Sequence, residues 1–376
     1  MDGWIRGFCV LLDRVRNLSI SVMKYFYALV TVALCSFING APAQDAAASR
    51  PVVAVVAYNS GTEVTDFLVP FGILSDSALA DVHAVALAEG PVTFRPAPGP
   101  AQLPDTVATF DAAYPRGADY VIVPAVVDPG AAALTSWLRA QHSKGAVIMS
   151  ICDGAKVLAQ AGLLKGRTAT AHWYSLTELR RQFPETHWRD DRRYVFDDKV
   201  FTTSGVSASV PATFALLERI AGAEATARFA STLGVPDWSA VHDGTAFSKA
   251  HHAWDAAAGA RSPTLTPEGV GFALPEQFAE ARAALVMDAY SRTHRSNVVL
   301  HSGNANEVRS RHGLIFETNQ DKRAYEIDRT LLHQSLARTL DAALDQIQRD
   351  YGVMAADHVA LQLEYVRSRA DATSPR

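Results

Sequence analysis

The chain has 376 residues, 48% of them hydrophobic and 20% charged, with a formal net charge of −4. That is enough apolar material for a sizeable core in one large domain or two. The mildly acidic balance excludes the basic footprint of a nucleic-acid-binding surface, and no Gly-rich phosphate loop is present.

Residues 25–38 form an apolar run that is short for a membrane span and the right size for the hydrophobic region of a signal peptide. Lys24 precedes the run and Ala41-Pro42-Ala43 follows it as a small-x-small cleavage site, while Met23 offers a natural start for such a leader. Residues 1–43 are therefore expected to be the signal peptide of an exported, periplasmic protein. The other reading is an uncleaved anchor in the inner membrane, attached through residues 20–38. Leu34 before Cys35 argues against a lipoprotein site. Cleavage would remove Cys9 and Cys35 and leave Cys152 alone, with no partner for an intramolecular disulfide.

Residues 51–58, PVVAVVAY, read as a parallel strand buried on both faces. A turn over 59–65 leads into a helix over 66–79, a second strand over 83–88 and a Pro-rich excursion over 91–106. Strands at 120–123 and 146–151 enclose a helix at 131–142. A helix over 154–161 ends at Gly162, a C-cap glycine. Asp197-Asp198-Lys199 marks a hairpin between 193–196 and 200–203, and 211–221 is helical. Strands alternating with helices predict an α/β, doubly wound, flavodoxin-like and mostly parallel sheet with helices on both faces. Polar, Pro/Gly-containing residues 236–275 read as a linker. Beyond them, 276–376 read as a smaller C-terminal α/β extension: a helix at 278–291, strands at 297–301 and 307–318 (the second broken), and an amphipathic helix at 327–349. VALAEGPVTFRPAPGPAQL at 85–103 and VVLHSGNANEVRSRHGLIF at 298–316 share a strand, a glycine turn and a second glycine, the pattern of a degenerate half-repeat or of chance.

Ser150-Ile151-Cys152-Asp153-Gly154 has the form of a nucleophile elbow, strand to nucleophile to helix, with small residues where the two backbones come close. Such a turn aims the side chain at a helix N-terminus, whose dipole and free N–H groups favour a thiolate and any oxyanion beside it. A lone cysteine is equally a core-filling hydrophobe. Asp153 is a second charge beside the thiol and opposes thiolate formation unless it turns away to cap the helix. His242, Asp243, His251, His252 and Asp255 fit no standard zinc spacing, so no metal is expected.

The stretch SICDGAKVLAQAGLLKGRTATAHW at 150–173 resembles the nucleophile region of the ThiJ/PfpI (DJ-one) superfamily, a branch of the class I glutamine-amidotransferase-like fold. VFTTSGVSASVPATFALLERIAG at 200–222 is similar to the family's late strand, glycine turn and closing helix, and TEVTDFLVPFGIL at 62–74 to its acidic segment. The likeness runs over about 52–235, giving a family-like domain at 50–235. It is nearest in kind to the amidotransferase-like domains of AraC-type regulators and to isocyanide-hydratase-like members. It implies that Cys152 is the reactive thiol, that Asp66 lies against it as general acid or base, and that His172 stands near the pocket. Asp66 as a helix N-cap and His172 as a buried structural residue are the competing roles. Asp153 is an implied oxyanion donor beside Gly154, with Ala125 as the second donor. Thr203, Ser204 and Gly205 are candidate pocket lining. The family's Pro-Gly-Gly is Pro124-Ala125-Val126 here, which reduces the backbone freedom of that second donor.

The function implied is a cysteine-dependent hydratase or lyase, isocyanide-hydratase-like or glyoxalase-like, acting on a small electrophile. The alternatives are a ligand-binding or redox-sensing module and, more weakly, a cysteine peptidase. The partner is a small-molecule substrate or ligand, with no cofactor and no nucleic acid, and a homodimer is the implied assembly.

Overall fold

The structure, a computed structural model, describes residues 50–258, 268–302, 305–319 and 325–367, the side chains of 252–258 and 268 excepted. The leader and anchor readings, Cys9, Cys35 and the side chains of His252 and Asp255 lie outside the described residues.

The main sheet has seven strands: β1 (Val52–Ala57), β3 (Asp81–Ala86), β6 (Asp105–Thr106), β7 (Tyr120–Val123), β8 (Val147–Ser150), β9 (Tyr194–Asp197) and β10 (Val200–Thr203), in the order β9-β10-β8-β7-β1-β3-β6. All its pairings are parallel except β9 with β10, the hairpin marked by Asp197-Asp198-Lys199. The alternation of β1 explains why its sequence is apolar throughout. Val53, Val55 and Ala57 enter one core layer, and Ala54 and Val56 enter the other. Helix α1 (Val64–Ser77) packs on the first face, with α6 (Ser209–Ala221) and α7 (Ala223–Leu233). Helices α2 (Val107–Ala113), α3 (Ala132–Lys144) and α4 (Gly154–Gln160) cover the second. This is the doubly wound arrangement expected. Helix α5 (Trp173–Gln182) follows α4 and begins at the His172 cap.

The Pro-rich excursion is more ordered than its composition suggests. It folds into a hairpin of β4 (Val92–Arg95) and β5 (Gly99–Gln102), with β2 (Thr62–Glu63) parallel to β4. Residues 236–275 are not simply a linker. They contain helix α8 (Gly244–Ala258) and strand β11 (Glu268–Ala273), because the Ala-rich run TAFSKAHHAWDAAA outweighs the flanking Pro and Gly.

Helix α9 (Glu280–Ser291) carries β11 over to the parallel strand β12 (Ser296–His301), and the short strand β15 (Tyr325–Glu326) pairs with the other side of β11. The broken strand at 307–318 is a hairpin, β13 (Glu307–Arg309) and β14 (Ile315–Glu317), and β14 pairs antiparallel with β5. The long helix expected over 327–349 is divided: Asp328 caps a 3-10 turn at Arg329–His333, and α10 (Leu336–Tyr351) starts only after Ser335. Helix α11 (Val353–Gln362) ends the described chain with a short tail to Arg367. Leu285, Val286 and Leu344 share one continuous core with Phe67, Leu68 and Phe214, so the C-terminal elements close the α1 face of the main sheet.

Candidate active site

Strand order reverses between β1 and β7, and in sheets of this kind the crevice at the carboxyl ends beside such a reversal is where ligands bind. Three chain segments leave the sheet there: α1 after β1, Pro124-Ala125 after β7, and Cys152 after β8. Cys152 has a φ of 53°, a left-handed conformation that costs a non-glycine residue on the order of 1–3 kcal/mol. The turn is held in place by Ile151 N–H to Val123 O (3.0 Å) and by Cys152 N–H to Thr203 Oγ1 (3.0 Å). Gly154 is required by close approach, since a Cβ there would collide with the Val123 carbonyl.

Asp66 lies in the first turn of α1 and is fully buried. It is not the N-cap. Glu63 caps the helix, accepting from Asp66 N–H, which leaves the Asp66 side chain free for another role. Its Oδ2 accepts from Ala125 N–H at 3.0 Å, and its Oδ1 is buried with no hydrogen-bond partner. Burial pushes the Asp66 carboxyl up to about 7, against the lowering effect of the Ala125 hydrogen bond. Glu63 is likewise raised well above its ordinary range, by burial and by the Asp66 charge.

One cation serves this acidic cluster. Arg292, just beyond α9, reaches Glu63 Oε1 at 3.0 Å and Asp288 Oδ1 at 2.7 Å, and Asp288 Oδ2 accepts from Thr65 Oγ1. Its charge draws down Glu63, Asp66 and Cys152. It does not prevail at the thiol. Cys152 is 6% exposed, and burial followed by the charges of Asp66, Asp153 and Glu63 raises its pKa well above the usual thiol range. The resting side chain is a protonated thiol flanked by a carboxyl that titrates near neutrality.

Residues 52–219 match the model of the DJ-1/PfpI family. This part of the chain is a DJ-1/PfpI family domain. Among curated relatives, the HTH-type transcriptional regulator CdhR of Pseudomonas aeruginosa is 35% identical over 78 residues, 21% of this chain and 23% of the regulator. Protein DJ-1alpha of Drosophila melanogaster is 29% identical over 138 residues, 35% of this chain and 61% of the relative. Isonitrile hydratase of Pseudomonas putida is 31% identical over 88 residues, covering 23% and 37% of the two chains. The chain thus spans less than two thirds of the length of each. Of the solved structures, Drosophila melanogaster DJ-1beta aligns with a TM-score of 0.43 at 23% identity, over 49% of this chain and 98% of its own.

In the DJ-1/PfpI domain the Asp66 charge acts on the Cys152 thiol, while three sequence-based roles change. Ala125 is not a free oxyanion donor, because its N–H is committed to Asp66. The Asp153 side chain does not cap α4: its Oδ2 takes a hydrogen bond from Lys156 Nζ at 2.6 Å and another from Ser175 Oγ at 2.8 Å. His172 has both ring nitrogens engaged. Nδ1 accepts from Tyr174 N–H as the cap of α5, and Nε2 donates to Gln362 O at 2.9 Å. With no lone pair left to receive a proton, His172 is structural, and the Cys–His pair a cysteine peptidase needs is not formed. Thr203 and Ser204 are buried in the turn behind the elbow, and Gly205 continues it.

The site also contains residues that the local sequence did not mark: Glu63, Asp288 and Arg292. The available signal was α9 itself, EARAALVMDAYS, a helix apolar on all sides that nevertheless carries Asp288 in its interior.

Proposed function

We propose that the domain is a cysteine-dependent enzyme that adds across a small electrophile, a hydratase or lyase reaction. The observation that carries this reading is the pairing of a left-handed elbow thiol with a buried carboxyl held at about 7. A general base works best when its pKa lies near the operating pH, and Asp66 meets that condition. Asp66 carboxylate takes the Cys152 proton, and the thiolate sulfur bonds to the electrophilic carbon of a carbonyl or isocyanide. The protonated Asp66 then returns its proton to the atom that has gained the electron pair. With an isocyanide the adduct is a thioimidate: water adds to its C=N bond, oxygen to carbon and one proton through Asp66 to nitrogen. The C–S bond then breaks, the hydroxyl becomes the formamide carbonyl, and its proton returns through Asp66 to the sulfur. With a 2-oxoaldehyde the adduct is a hemithioacetal; Asp66 moves its C–H proton to the neighbouring carbon, giving a thioester that water hydrolyses to the 2-hydroxy acid and the free thiol. Arg292 keeps the adjacent carboxyl groups from collecting uncompensated charge.

The test is turnover on a panel of isocyanides and 2-oxoaldehydes. Cys152→Ala should abolish it, and unchanged turnover in that variant would remove the mechanism.

A second reading, a ligand-binding module, is favoured by one observation: the resting thiol is buried and its pKa is raised, which counts against redox sensing because that needs an accessible thiolate. The HTH-type regulators among the relatives belong with it. The pH dependence of Cys152 alkylation separates the two, since a sensor of this kind stays unreactive across the neutral range in which the enzyme turns over. The run at 25–38 and the Ala41-Pro42-Ala43 site support export to the periplasm. N-terminal sequencing of the processed protein tests this, and retention of residues before Gln44 would refute cleavage.

A further inference from the structure

Glu364 is almost completely buried and adopts a φ of 55°, which an L-residue takes only under constraint. Its carboxylate sits in a cradle formed by the DJ-1/PfpI domain and the segment after it. Oε2 accepts from Gly205 N–H at 2.6 Å and from Trp173 N–H at 3.3 Å, at the N-terminal end of the ten-residue helix α5. Oε1 meets His242 Nε2 at 2.6 Å, and the His242 side chain is itself buried. Gly205 is required here, since a Cβ would collide with both the Glu364 side chain and the His172 ring.

The tail around Glu364 is stitched to the same surface. Ser207 N–H donates to Leu363 O, Ser207 Oγ to Glu364 O, Trp173 Nε1 to Leu361 O, and His172 to Gln362 O. Gly205 lies two residues past Thr203, which holds the Cys152 backbone. The tail therefore lies across the turn that the sequence marked as pocket lining. It is also poorly filled in. A cavity of about 210 Å³ borders Glu364 and Tyr365, one of about 410 Å³ borders Leu361 and Val366, and one of about 290 Å³ lies between Gln362, His172 and Arg292.

The geometry points to the Gly205–Trp173–His242 cradle as a carboxylate-binding subsite for the ligand of the Cys152 site, with Glu364 as its internal occupant. This rests on the reading of Cys152 as the reacting group. Two N–H groups and an imidazole converging on the two oxygens of one planar carboxylate form a site specific for that group. The occupant comes from a segment 159 residues from Gly205 in sequence, so the cradle is built by the domain together with His242 of the following segment and filled by the tail. A small acid of the form R–COO⁻ takes the same donors, displaces Glu364 into the neighbouring cavity space and brings its R group toward the elbow. The electrophilic substrate is therefore one that carries a carboxylate.

The experiment is chemical rescue in the full chain. Glu364→Gly suits the positive φ and empties the cradle, and it should lower the melting temperature by about 4 °C or more. Sodium acetate at constant ionic strength should restore it saturably, while acetamide should not, and the wild-type protein should respond to neither. If acetate and acetamide act alike on the variant, or neither acts, the proposal is overturned. Should Glu364→Gly fail to fold, Glu364→Gln preserves the side-chain volume and the same acetate-specific rise is required of it. Stronger rescue by acetyl-trialanine with a free carboxyl terminus than by acetate would overturn the small-acid assignment in favour of a peptide end. Because the readout is melting temperature, rescue can succeed even if Cys152→Ala leaves turnover intact, so the two claims fail separately.

Discussion

The units β1–α1–β3 and β11–α9–β12 have the same connectivity and nearly the same spacing. Aligning Val52 with Glu268 sets Val64 on Glu280, the first residues of α1 and α9. With one residue fewer, Asp81 falls on Ser296. Each unit runs on into a hairpin, and the hairpins meet where β5 pairs antiparallel with β14. The chemistry does not repeat. The positions of Glu63 and Asp66 in the first unit are held by Ala279 and Arg282 in the second, and Arg282 donates to Gln334 O rather than to an acid. The second unit contributes instead from the other end of its helix, through Asp288 and Arg292. One local fold thus serves once as the frame of a candidate site and once as its cover, and the difference lies in the charged residues at the helix ends.

The strongest way to break this comparison is to make the first unit resemble the second. Asp66→Asn keeps the shape and the acceptor for Ala125 N–H but removes the base, so turnover should fall by about 10²–10⁴-fold. Stability should move the other way. Folded Asp66 holds its proton up to about 7, above the ordinary carboxylate range, so the native chain binds more protons than the unfolded one across that window. The wild type therefore loses stability as pH rises from about 4 to about 7, on the order of 4 kcal/mol for a shift of this size. Asp66→Asn should escape that loss. Denaturant unfolding should find it more stable than the wild type at pH 8, with the advantage vanishing near pH 4. An Asn variant with full activity would remove Asp66 from the chemistry.

Much of the first unit and of the sheet around it was legible in the sequence, and the reasons are local. A β-branched run gives β1, and small residues around Cys152 give the elbow because strand and helix backbones must pass close to each other there. The 120–123 strand has the bounds expected of it. The acidic segment, the elbow and the glycine turn occur in family order, which named Cys152 and Asp66. The places of Arg292 and Glu364 were not legible, because the contacts with Glu63 and Gly205 that fix them span 229 and 159 residues and no spacing rule reaches that far. The roles of Ala125 and His172 failed for a related reason: a motif says where a donor sits, but tertiary packing decides which acceptor it meets. The linker reading of 236–275 gave too much weight to Pro and Gly and too little to the alanines between them.

A second change separates the cover from the site. Arg292→Met removes the cation and leaves Glu63 and Asp288 buried without it. Breaking a buried pair in this way costs about 3–5 kcal/mol, measurable as a lower denaturation midpoint. It should also raise the Asp66 pKa further, since Arg292 lowers it, and so move the acid limb of the pH–rate profile upward. Loss of stability with an unmoved pH profile would show that Arg292 only fastens the two units together.

The smallest effect concerns that fastening alone. Gly72 lies in the interior of α1, where alanine would normally be preferred by about 1 kcal/mol. A Cβ there would stand 3.1 Å from Ala281 N and 3.2 Å from Glu280 Cβ, at the start of α9. Ala281 N is helix backbone and cannot swing aside like the end of a flexible side chain, so the two helices must separate slightly. Overpacking of this kind typically costs about 1–3 kcal/mol, which outweighs the propensity gain and leaves Gly72→Ala less stable by about 1 kcal/mol. Because Gly72 is two turns from Asp66 along α1, the pH dependence of turnover should stay in place while the denaturation midpoint falls. A variant as stable as the wild type would mean that α9 can ride over α1 without disturbing its own backbone, and that the cover is held by the Arg292 ion pairs rather than by the helix contact.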